Sequence, residues 1–525
     1  TSIENIPKVI DPLFTNDLWH EYQETKTEPL LKARVKTLHA FQDKLASLTF
    51  FDPACGSGNF LTESYISLRR LENEVIKAIY SIEPLSAFDN PIKVSINQFY
   101  GIEINDFAVT VATTALWISE SQMMAETERI VHHDIDFLPL KSYANIHEGN
   151  ALRTDWHEVC PNPDYIIGNP PFVGASMMSK QQKKEITELF PKNRMAGVLD
   201  YVSGWYVKAA QMVQGTDTHC AFVSTNSICQ GEQVAALWKP LKEHFGIHID
   251  FAYRTFRWDS EANLKAHVHC VIVGFSCTDS KRERTIFDNG QQIKADNINA
   301  YLIDAPDIYV SRRSKPLCDV PQCTRGNQPT DGGNLIVEEK DIDDFINKEP
   351  NSKKFIKRLI GATEFINNKK RYCLWLVDAT PAELRSMPLV MERINKVKEM
   401  RLASSFGPTR ELANVPYRFR ETWNPDTYIV IPRVSSERRR YVPMGFLDKS
   451  IIPTDSVIII PSATLYHFGV LESNVHMAWM RVVCGRLEMR YRYSKDVVYN
   501  NFPWPGSLPS EEGLGTVSEA QRQMI

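Results

Sequence analysis

The amino-acid sequence predicts an α/β protein whose first half forms a doubly wound, mostly parallel sheet with an antiparallel edge strand. Short apolar runs alternate with segments of helical periodicity from residue 48 to residue 245. A turn with two glycines follows the first run, and an acidic residue ends the second, as in sheets that bind nucleotides. Two further runs, at residues 247–253 and 266–275, are too close together for a crossover helix, so we expect them to pair antiparallel. We expect an α+β domain to follow.

Length and composition set the limits of this interpretation. A chain of 525 residues is too long for one ordinary core, so we expect a helical lead-in (1–47), two domains (48–300 and 301–505) and a tail (506–525). No apolar run approaches the roughly 20 residues of a membrane span. The ten cysteines are scattered without CxxC pairs, which indicates free thiols in a reducing cytoplasm and no metal site.

The charge distribution favours a nucleic-acid partner in the second half. The net charge is only −4, but residues 351–440 contain 19 Lys and Arg against 9 Asp and Glu, a local charge of +10. Solvated helix faces explain part of this excess. Segregation on this scale nevertheless suits a module that faces phosphates.

The glycine turn is the first candidate ligand site. A strand at residues 48–51 leads into the sequence DPACGSGNF (52–60), and a helix follows whose apolar positions recur at steps of three and four: Leu61, Tyr65, Leu68, Leu71, Val75 and Ile79. Gly56 and Gly58 allow a tight turn and close backbone approach to a ligand. A single Gly-x-Gly turn is common, so an ordinary turn is an equal alternative.

The next strand, residues 99–104, makes the ligand interpretation stronger. It contains Glu103 near its end, and a carboxylate there can accept hydrogen bonds from both ribose hydroxyls of an adenosine. A surface glutamate is the alternative. Strands at residues 143–148 and 220–224, and helices at 201–213 and 232–245, continue the alternating pattern.

The sequence DYIIGNPPFV (164–173) is the stretch around which the first domain is organised. Residues 165–167 predict a buried strand, and the two prolines that follow end its pairing because they lack the N–H group that a ladder needs. Asn169, Pro170, Pro171 and Phe172 therefore form a rigid loop at the carboxyl end of a strand. One amide, one fixed carbonyl and one aromatic face can hold a planar exocyclic amine by two hydrogen bonds while stacking on its ring.

These motifs resemble motifs I and IV of S-adenosylmethionine-dependent amino methyltransferases that act on DNA. Cofactor motifs that precede the catalytic motif, with a recognition domain after both, are typical of the gamma class, which usually methylates adenine N6. The resemblance implies a seven-stranded Rossmann-like methyltransferase sheet. It extends to the target recognition region of MmeI-like type IIL restriction–modification enzymes through five stretches: FINNKKRYCLW (365–375), PLVMER (388–393), IPRVSSERRRY (431–441), TLYHFG (464–469) and YNNFPWP (499–505).

The family resemblance also implies what lies outside the matching motifs. The chain opens with TSIENI, which resembles the middle of motif X, and it contains no plausible PD-(D/E)xK nuclease signature. Members of the family usually carry the nuclease at the N-terminus of one long polypeptide. We therefore expect methylation without cleavage, double-stranded DNA as partner, an N-terminal nuclease in the full-length protein, and a cytoplasmic monomer.

The resemblance assigns cofactor and target-base residues. The expected S-adenosylmethionine site, which would release S-adenosylhomocysteine, consists of Thr1, Asp52, Pro53, Ala54, Cys55, Gly56, Gly58, Asn59, Phe60, Glu103, Ile104, Asn150, Ala151, Leu152 and Asn169. Asn150 occupies the motif III position, where an acid is frequent, so it either binds the adenine amine of the cofactor or only caps its turn. Phe172 would stack on one face of the target base. By resemblance to motif VIII, Phe256 or Trp258 would stack on the other, although each is equally expected as an ordinary core aromatic.

Base reading is expected near the C-terminal end of the second domain, where the DNA-recognition residues would be Arg486, Glu488, Arg490 and Arg492. If Arg486–Tyr493 is a strand, Glu488, Arg490 and Arg492 share one face, and arginine and glutamate fit guanine and cytosine edges. Equivalent positions in the family read bases. A helix with a Glu488–Arg492 pair, or plain phosphate contacts, would be the alternative. Three consecutive arginines, Arg438, Arg439 and Arg440, suit backbone clamps or interior struts.

Three other functions remain open at this point. The proline loop would accept cytosine N4 as well as adenine N6. Protein or RNA methyltransferases also use an Asn-Pro-Pro-aromatic loop, although the basic second half is larger than a compact protein substrate would need. A DNA-binding specificity module with an inactive methyltransferase fold is the third alternative.

Overall fold

The computed structural model of the protein describes residues 3–83, 90–132, 145–191, 193, 195–258, 268–278 and 282–505. The chain divides into two units, Thr1–Tyr309 and Val310–Ile525. Each unit has its own sheets and its own buried core.

The first seven described strands of the first unit follow the predicted apolar runs to within about five residues, whereas the last two, within residues 284–295, were not predicted. The strands are β1 Phe50–Asp52, β2 Phe99–Glu103, β3 Asn145–Glu148, β4 Tyr165–Gly168, β5 His219–Thr225, β6 His248–Trp258, β7 Val268–Ser276, β8 Arg284–Asp288 and β9 Gln291–Ala295. The helices are α1 Pro7–Ile10, α2 Asn16–Thr25, α3 Leu31–Ser47, α4 Asn59–Tyr80, α5 Asp106–Val131, α6 Trp156–Val159, α7 Lys180–Leu189, α8 Ser203–Val213 and α9 Glu232–Phe245.

These strands form one sheet in the order β3-β2-β1-β4-β5-β7-β6-β8-β9. Neighbours from β3 to β5 are parallel, whereas β7 is antiparallel to both β5 and β6, which confirms the predicted antiparallel pairing. The sheet differs from the prediction in two respects. It has nine described strands rather than seven, and β7 lies inside it, because β6 and the hairpin β8–β9 extend the sheet beyond β7.

Burial explains why the central strands form where they do. All four residues of β4 are buried, as expected for a parallel strand covered by helices on both faces. The six apolar positions predicted for the helix after the glycine turn are buried on α4 and belong to the core of the first unit. The core therefore holds β1 and β4 firmly, and the loops at their carboxyl ends start from fixed points.

The second unit is α+β, as predicted. Its strands are β10 Thr324–Arg325, β11 Ile336–Glu338, β12 Ile356–Ile360, β13 Arg371–Leu374, β14 Thr427–Pro432, β15 Val434–Ser435, β16 Gly445–Asp448, β17 Ile451–Pro453, β18 Val457–Pro461, β19 Gly485–Leu487 and β20 Arg490–Arg492. Its helices are α10 Ile342–Lys348, α11 Ala362–Asn367, α12 Pro381–Arg385, α13 Pro388–Leu402, α14 Gly407–Glu411, α15 Leu465–Leu471 and α16 Asn474–Val483. Its strands form three sheets, β10-β18-β14-β16, β11-β13-β12-β17 and β15-β20-β19.

One arginine organises the irregular chain around α13. Arg401 is fully buried, and its guanidinium donates hydrogen bonds to five backbone carbonyls, those of Pro329, Thr330, Leu412, Val415 and Arg418. Because buried polar groups are costly when unpaired, these bonds both satisfy the charge and fix three loop segments to one helix.

Two further features concern the whole chain. All ten cysteines are free thiols, as predicted. Among the described residues, none of the helices combines the length and the apolar composition that crossing a bilayer requires.

Candidate active site and nucleic-acid surface

Three loops converge at one edge of the large sheet. β1 pairs in parallel with β2 on one side and with β4 on the other, so the carboxyl ends of these strands are neighbours. The glycine turn follows β1, Glu103 ends β2, and the loop of residues 169–172 follows β4. This is the edge at which open α/β sheets bind ligands.

The glycine turn leaves open space for a ligand. Cys55 donates its backbone N–H to the carbonyl of Ile102 (3.1 Å), which ties the turn to β2. Gly56 and Gly58 have φ angles of +54° and +81°, a region that side chains disfavour. A Cβ atom on Gly58 would meet the Cβ of Ala112 at 3.0 Å, whereas one on Gly56 would meet nothing within 4 Å. The turn therefore keeps its shape only with glycine at both positions, and it is open at Gly56.

Glu103 joins this turn to the end of the second strand. Its carboxylate accepts the backbone N–H groups of Gly56 (3.0 Å) and Asn105 (2.9 Å), and an ionised carboxylate retains further acceptor sites. The neighbouring Ile104 is 67% exposed and Phe107, in the first turn of α5, is 74% exposed. Acceptors beside exposed apolar side chains suit a nucleoside, with its ribose on the carboxylate and its base on the apolar surface.

Asp52 is a buried acid at the base of the site. One carboxylate oxygen accepts the N–H of Ala54 at 2.9 Å, and the other has no hydrogen-bond partner in the part of the chain that the structure describes. Burial raises the pKa of Asp52 to about 8; the Ala54 N–H opposes this shift, and the charge of Glu103 adds to it. A buried carboxyl oxygen without a partner fits a polar group of a bound ligand, so the residues present suit the cofactor that the motifs imply.

Asn150 caps its turn and contacts an acid that the sequence analysis missed. Its side-chain oxygen accepts the N–H of Leu152 (3.0 Å), and its amide donates to the carboxylate of Glu185 on α7 (3.1 Å). Burial raises the pKa of Glu185, but hydrogen bonds, chiefly from Tyr201, outweigh burial and leave this pKa below its usual value. Ala151 and Leu152 are buried. Asn150 therefore caps its turn, as one of the two alternatives proposed, and the carboxylate beside this turn belongs to α7.

The loop of residues 169–172 leaves the sheet at Gly168. Gly168 pairs with Phe222 of β5, and a Cβ atom on it would lie 2.7 Å from the Asp52 carboxylate. Pro170 is buried and Pro171 exposed, while Asn169 is half-buried. Phe172 is half-buried and packs on the core of the first unit, so its ring is anchored with part of its surface open.

The remaining predicted residues of the first unit differ in surroundings. Pro53 is buried, Phe60 is 3% exposed within the core, and Asn59 begins α4. Phe256 is half-buried, and the ammonium of Lys8 lies 5.0 Å from the centre of its ring, so a cation occupies one face. Trp258 ends β6, and its side chain lies outside the described part of the structure, as does Thr1.

Three residues in α8 or just before it were not predicted from the sequence. Trp205 donates its indole N–H to the carbonyl of Pro53 (3.0 Å), which joins α8 to the glycine turn. Asp200 and Tyr201 contact the segment that follows the loop of residues 169–172. Periodicity identifies α8 as a helix, but these polar contacts join segments far apart in sequence, and no local pattern indicates them.

In the second unit, Arg486–Tyr493 is a hairpin rather than one strand. β19 and β20 pair antiparallel, and Glu488 lies in the turn between them with a φ of +59°. The expectation that three charged side chains share one strand face is therefore wrong for Glu488, and so is the helical alternative. Arg490 and Arg492 are exposed on the same strand, and Glu488 forms an ion pair with Arg490 (3.0 Å) at the tip. Arg486 instead lies 4.6 Å from the ring centre of Tyr491.

The three consecutive arginines are exposed, so the interior-strut alternative is wrong. Arg438 is 91% exposed and lies 3.6 Å from Glu437, and the guanidinium of Arg440 stacks on the ring of Tyr441. Exposed guanidinium groups on a loop suit phosphate contacts.

A further arginine, missed in the sequence, lies at the junction of β14 and β15. Arg433 donates to the carbonyl of Asp455 (2.9 Å). Burial lowers its pKa, and the charges of Arg325 and Arg492 lower it further, while Asp455 raises it. The charges of Arg325 and Arg492 thus reach Arg433, which lies beside the strand β20 of the hairpin.

Models of known protein families match both halves of the chain. The family model of the MmeI DNA-methyltransferase domain matches residues 25–288, and that of the MmeI target recognition domain matches residues 304–506. DNA methyltransferase A of Bacillus subtilis (strain 168) is 41% identical over 516 residues, which are 96% of this chain and 57% of that protein. The chain thus spans little more than half the length of this relative.

A solved structure gives the same result. The type IIL restriction–modification enzyme MmeI in complex with DNA matches with a TM-score of 0.89 and 44% sequence identity, over 96% of this chain and 68% of that chain. The chain therefore belongs to the MmeI family of type IIL restriction–modification enzymes, as its motifs indicate, and contains that family's DNA-methyltransferase and target recognition domains.

Proposed function

We propose that the chain transfers a methyl group from S-adenosylmethionine to N6 of an adenine in duplex DNA, and that its second unit selects the site. S-adenosylhomocysteine is the other product. In this proposal the chain is the modifying part of a longer restriction–modification protein, with a nuclease domain N-terminal to it. Family membership supports DNA as the substrate, and the order of the motifs supports the adenine amine as the acceptor.

The position of β1 between β2 and β4 is the observation that carries the proposal. Because of this strand order, the open glycine turn lies between the carboxylate of Glu103, which suits a ribose, and the loop of residues 169–172, which suits an amine. A methyl donor in the first part of this site would lie beside an acceptor in the second.

The loop of residues 169–172 activates the acceptor amine. The N6 amine of adenine is a poor nucleophile because its lone pair is delocalised into the ring. The side-chain oxygen of Asn169 and the carbonyl of Pro170 each accept one N6 hydrogen, which localises the lone pair and orients it. The contribution is positioning and preorganised electrostatics.

The base reaches this loop by leaving the duplex. Phe172 stacks on one of its faces, and Phe256 or Trp258 covers the other. Flipping the nucleotide costs about a few kcal/mol, which stacking and hydrogen bonding in the pocket offset. If Phe256 is the second aromatic, the base uses the ring face opposite Lys8.

The residues around the glycine turn hold the cofactor, whose sulfonium supplies an electrophilic methyl group. The backbone of residues 54–58 would approach its methionine portion, Glu103 would accept from its ribose, and Ile104 would pack on its adenine. Asp52 would form a hydrogen bond with the methionine portion through the oxygen that has no partner among the described residues.

The hairpin β19–β20 reads bases through Glu488, Arg490 and Arg492. Arginine can donate two hydrogen bonds to guanine O6 and N7, and glutamate accepts from cytosine N4. Arg438, Arg439 and Arg440 contact phosphates, which position the duplex without reading it.

The test is methyl transfer by the Asn169→Ala variant. We expect transfer to duplex DNA to fall about 100-fold or more, since one preorganised hydrogen-bond acceptor is lost, with S-adenosylhomocysteine binding largely intact. Asn145→Ala, on the edge strand β3, is the matched control and should behave as wild type. Full activity of Asn169→Ala would refute the mechanism.

Nucleoside analysis of the methylated DNA identifies the acceptor. N6-methyladenine is the expected product. N4-methylcytosine would keep the mechanism but replace the base, whereas methyl incorporation only into protein or RNA would refute DNA as the substrate. Absence of any incorporation would leave a DNA-binding specificity module.

A further inference from the structure

Asp200 fastens the chain that follows the loop of residues 169–172. Its carboxylate is 8% exposed and accepts the backbone N–H of Ala175 at 3.0 Å. The other carboxylate oxygen accepts the hydroxyl groups of Thr225 (3.2 Å) and Ser227. Thr225 is the last residue of β5, so this single carboxylate ties the segment after the loop to the carboxyl end of the next strand.

Tyr201, the next residue, contacts the same segment and a different part of the site. Its backbone N–H donates to the carbonyl of Val173 at 2.9 Å. Its hydroxyl donates to Glu185 at 2.6 Å, and the second oxygen of Glu185 accepts from Asn150 (3.1 Å) and from Arg153 (2.9 Å). The side chain of Tyr201 is thus linked through Glu185 to the turn at Asn150. The side chain of Asp200 instead binds the segment after the loop.

These contacts help to determine the local geometry, together with the packing of Phe172 on the core and the hydrogen bond from the Met177 N–H to the Gly174 carbonyl (2.8 Å). Residues 171–174 belong to no helix or strand, so no sheet ladder orients them. Burying a carboxylate is costly, and an apolar side chain would fill the same space with less penalty. The carboxylate instead fixes the direction of the Ala175 N–H. This bond in turn helps to orient the loop that carries Asn169 and Phe172.

We infer that Asp200 and Tyr201 are positioning residues with separate roles, Asp200 for the catalytic loop and Tyr201 for the cofactor turn. The inference rests on the proposed function, since it assigns the two side chains to the two halves of that reaction. Neither side chain is required to touch the substrate.

The test compares Asp200→Ala and Ser227→Ala with Tyr201→Phe in the full chain. Ser227→Ala removes one contact of Asp200 without burying a new group, so it keeps the test valid if Asp200→Ala folds poorly. Tyr201→Phe loses the bond to Glu185 but keeps the backbone bond to Val173. Ser47→Ala, an exposed hydroxyl at the end of α3, is the matched control.

Three measurements distinguish the roles. For Asp200→Ala and Ser227→Ala we expect kcat to fall about tenfold or more, because small misplacements of reacting groups are costly, with the Kd for S-adenosylhomocysteine unchanged. For Tyr201→Phe we expect the opposite, a weaker Kd and a kcat close to wild type at saturating cofactor. Amide hydrogen exchange of residues 172–177 should become faster only in the Asp200 and Ser227 variants.

A uniform loss of kcat and affinity in all three variants, or wild-type behaviour in all three, would overturn the inference. If the wild-type chain transferred no methyl group, the proposed function would fail by itself. Hydrogen exchange and S-adenosylhomocysteine binding would still decide whether the two side chains have separate roles.

Discussion

At the scale of single residues, the site depends on a close approach between β1 and β4. Gly168 has no side chain, and the space that a Cβ atom would need is taken by the carboxylate of Asp52. Asp52 is thus held in a position where one oxygen has no protein donor among the described residues. Asp52 and Gly168 belong to separate motifs in the sequence, and their contact across two strands appears only in the fold.

The raised pKa of Asp52 makes stability depend on pH. Its pKa is about 8 in the folded chain against 3.8 for the free carboxyl, so between these values the folded state holds a proton that the unfolded state has lost. Stability should therefore fall as pH rises from 5 to 8, by up to about 1.4 kcal/mol per pH unit, and level off above pH 8. Urea unfolding of the ligand-free chain measures this slope. Asp52→Asn should flatten it, and an unchanged slope would assign the dependence to other groups.

Gly168→Ala should damage both stability and activity. The new methyl group would lie 2.7 Å from a buried carboxylate oxygen, so β4 or Asp52 has to move. We expect a loss of about 1–3 kcal/mol in unfolding free energy, as for other overpacked sites, together with weaker S-adenosylhomocysteine binding. Gly197→Ala is the control because a Cβ atom there meets nothing within 4 Å. Equal stability of the two variants would show that β4 adapts freely.

At the scale of elements, the sequence predicts the first unit better than the second, for physical reasons. Long apolar periodicity and buried parallel strands give α4, β4 and α9 directly. The hairpin at β19–β20 has no such signal, since a turn with positive φ usually contains glycine or asparagine and this one uses Glu488. The same applies to Arg401, because one side chain that bonds five distant carbonyls leaves no local pattern.

Exchanging the two charged residues at the hairpin tip should change the DNA sequence that the protein recognises. Glu488 and Arg490 form an ion pair with each other. In the protein without DNA, each side chain therefore has the other as its partner in place of a base. Replacing this pair by other base-reading residues should change one position of the methylated sequence, with discrimination of about 1–3 kcal/mol for that base pair. Long-read sequencing of methylated DNA reads the outcome. An unchanged site with normal activity would show that these side chains read no base.

At the scale of the whole molecule, charge is separated along the chain. The net charge is −4, yet residues 351–440 carry +10, so the remaining residues are strongly acidic in sum. An even distribution would repel DNA weakly everywhere. Concentrating the positive charge in the second unit directs DNA to the residues expected to read it, and leaves methyl transfer to the first unit.

The salt dependence of DNA binding tests this separation. Each phosphate contact that is lost should reduce the slope of log K against log salt by about 0.9, so replacing Arg438 and Arg439 by alanine should reduce it by about 1.8. Binding should weaken equally for cognate and non-cognate duplexes, because phosphate contacts carry no sequence information. The control removes the same charge from the first unit by replacing Lys32 and Lys36, both exposed on α3, and should leave the slope unchanged. Fluorescence anisotropy between 50 and about 200 mM salt measures these slopes. If both double variants reduced the slope equally, overall charge would attract the DNA, and the arginine loop would have no special part in holding it.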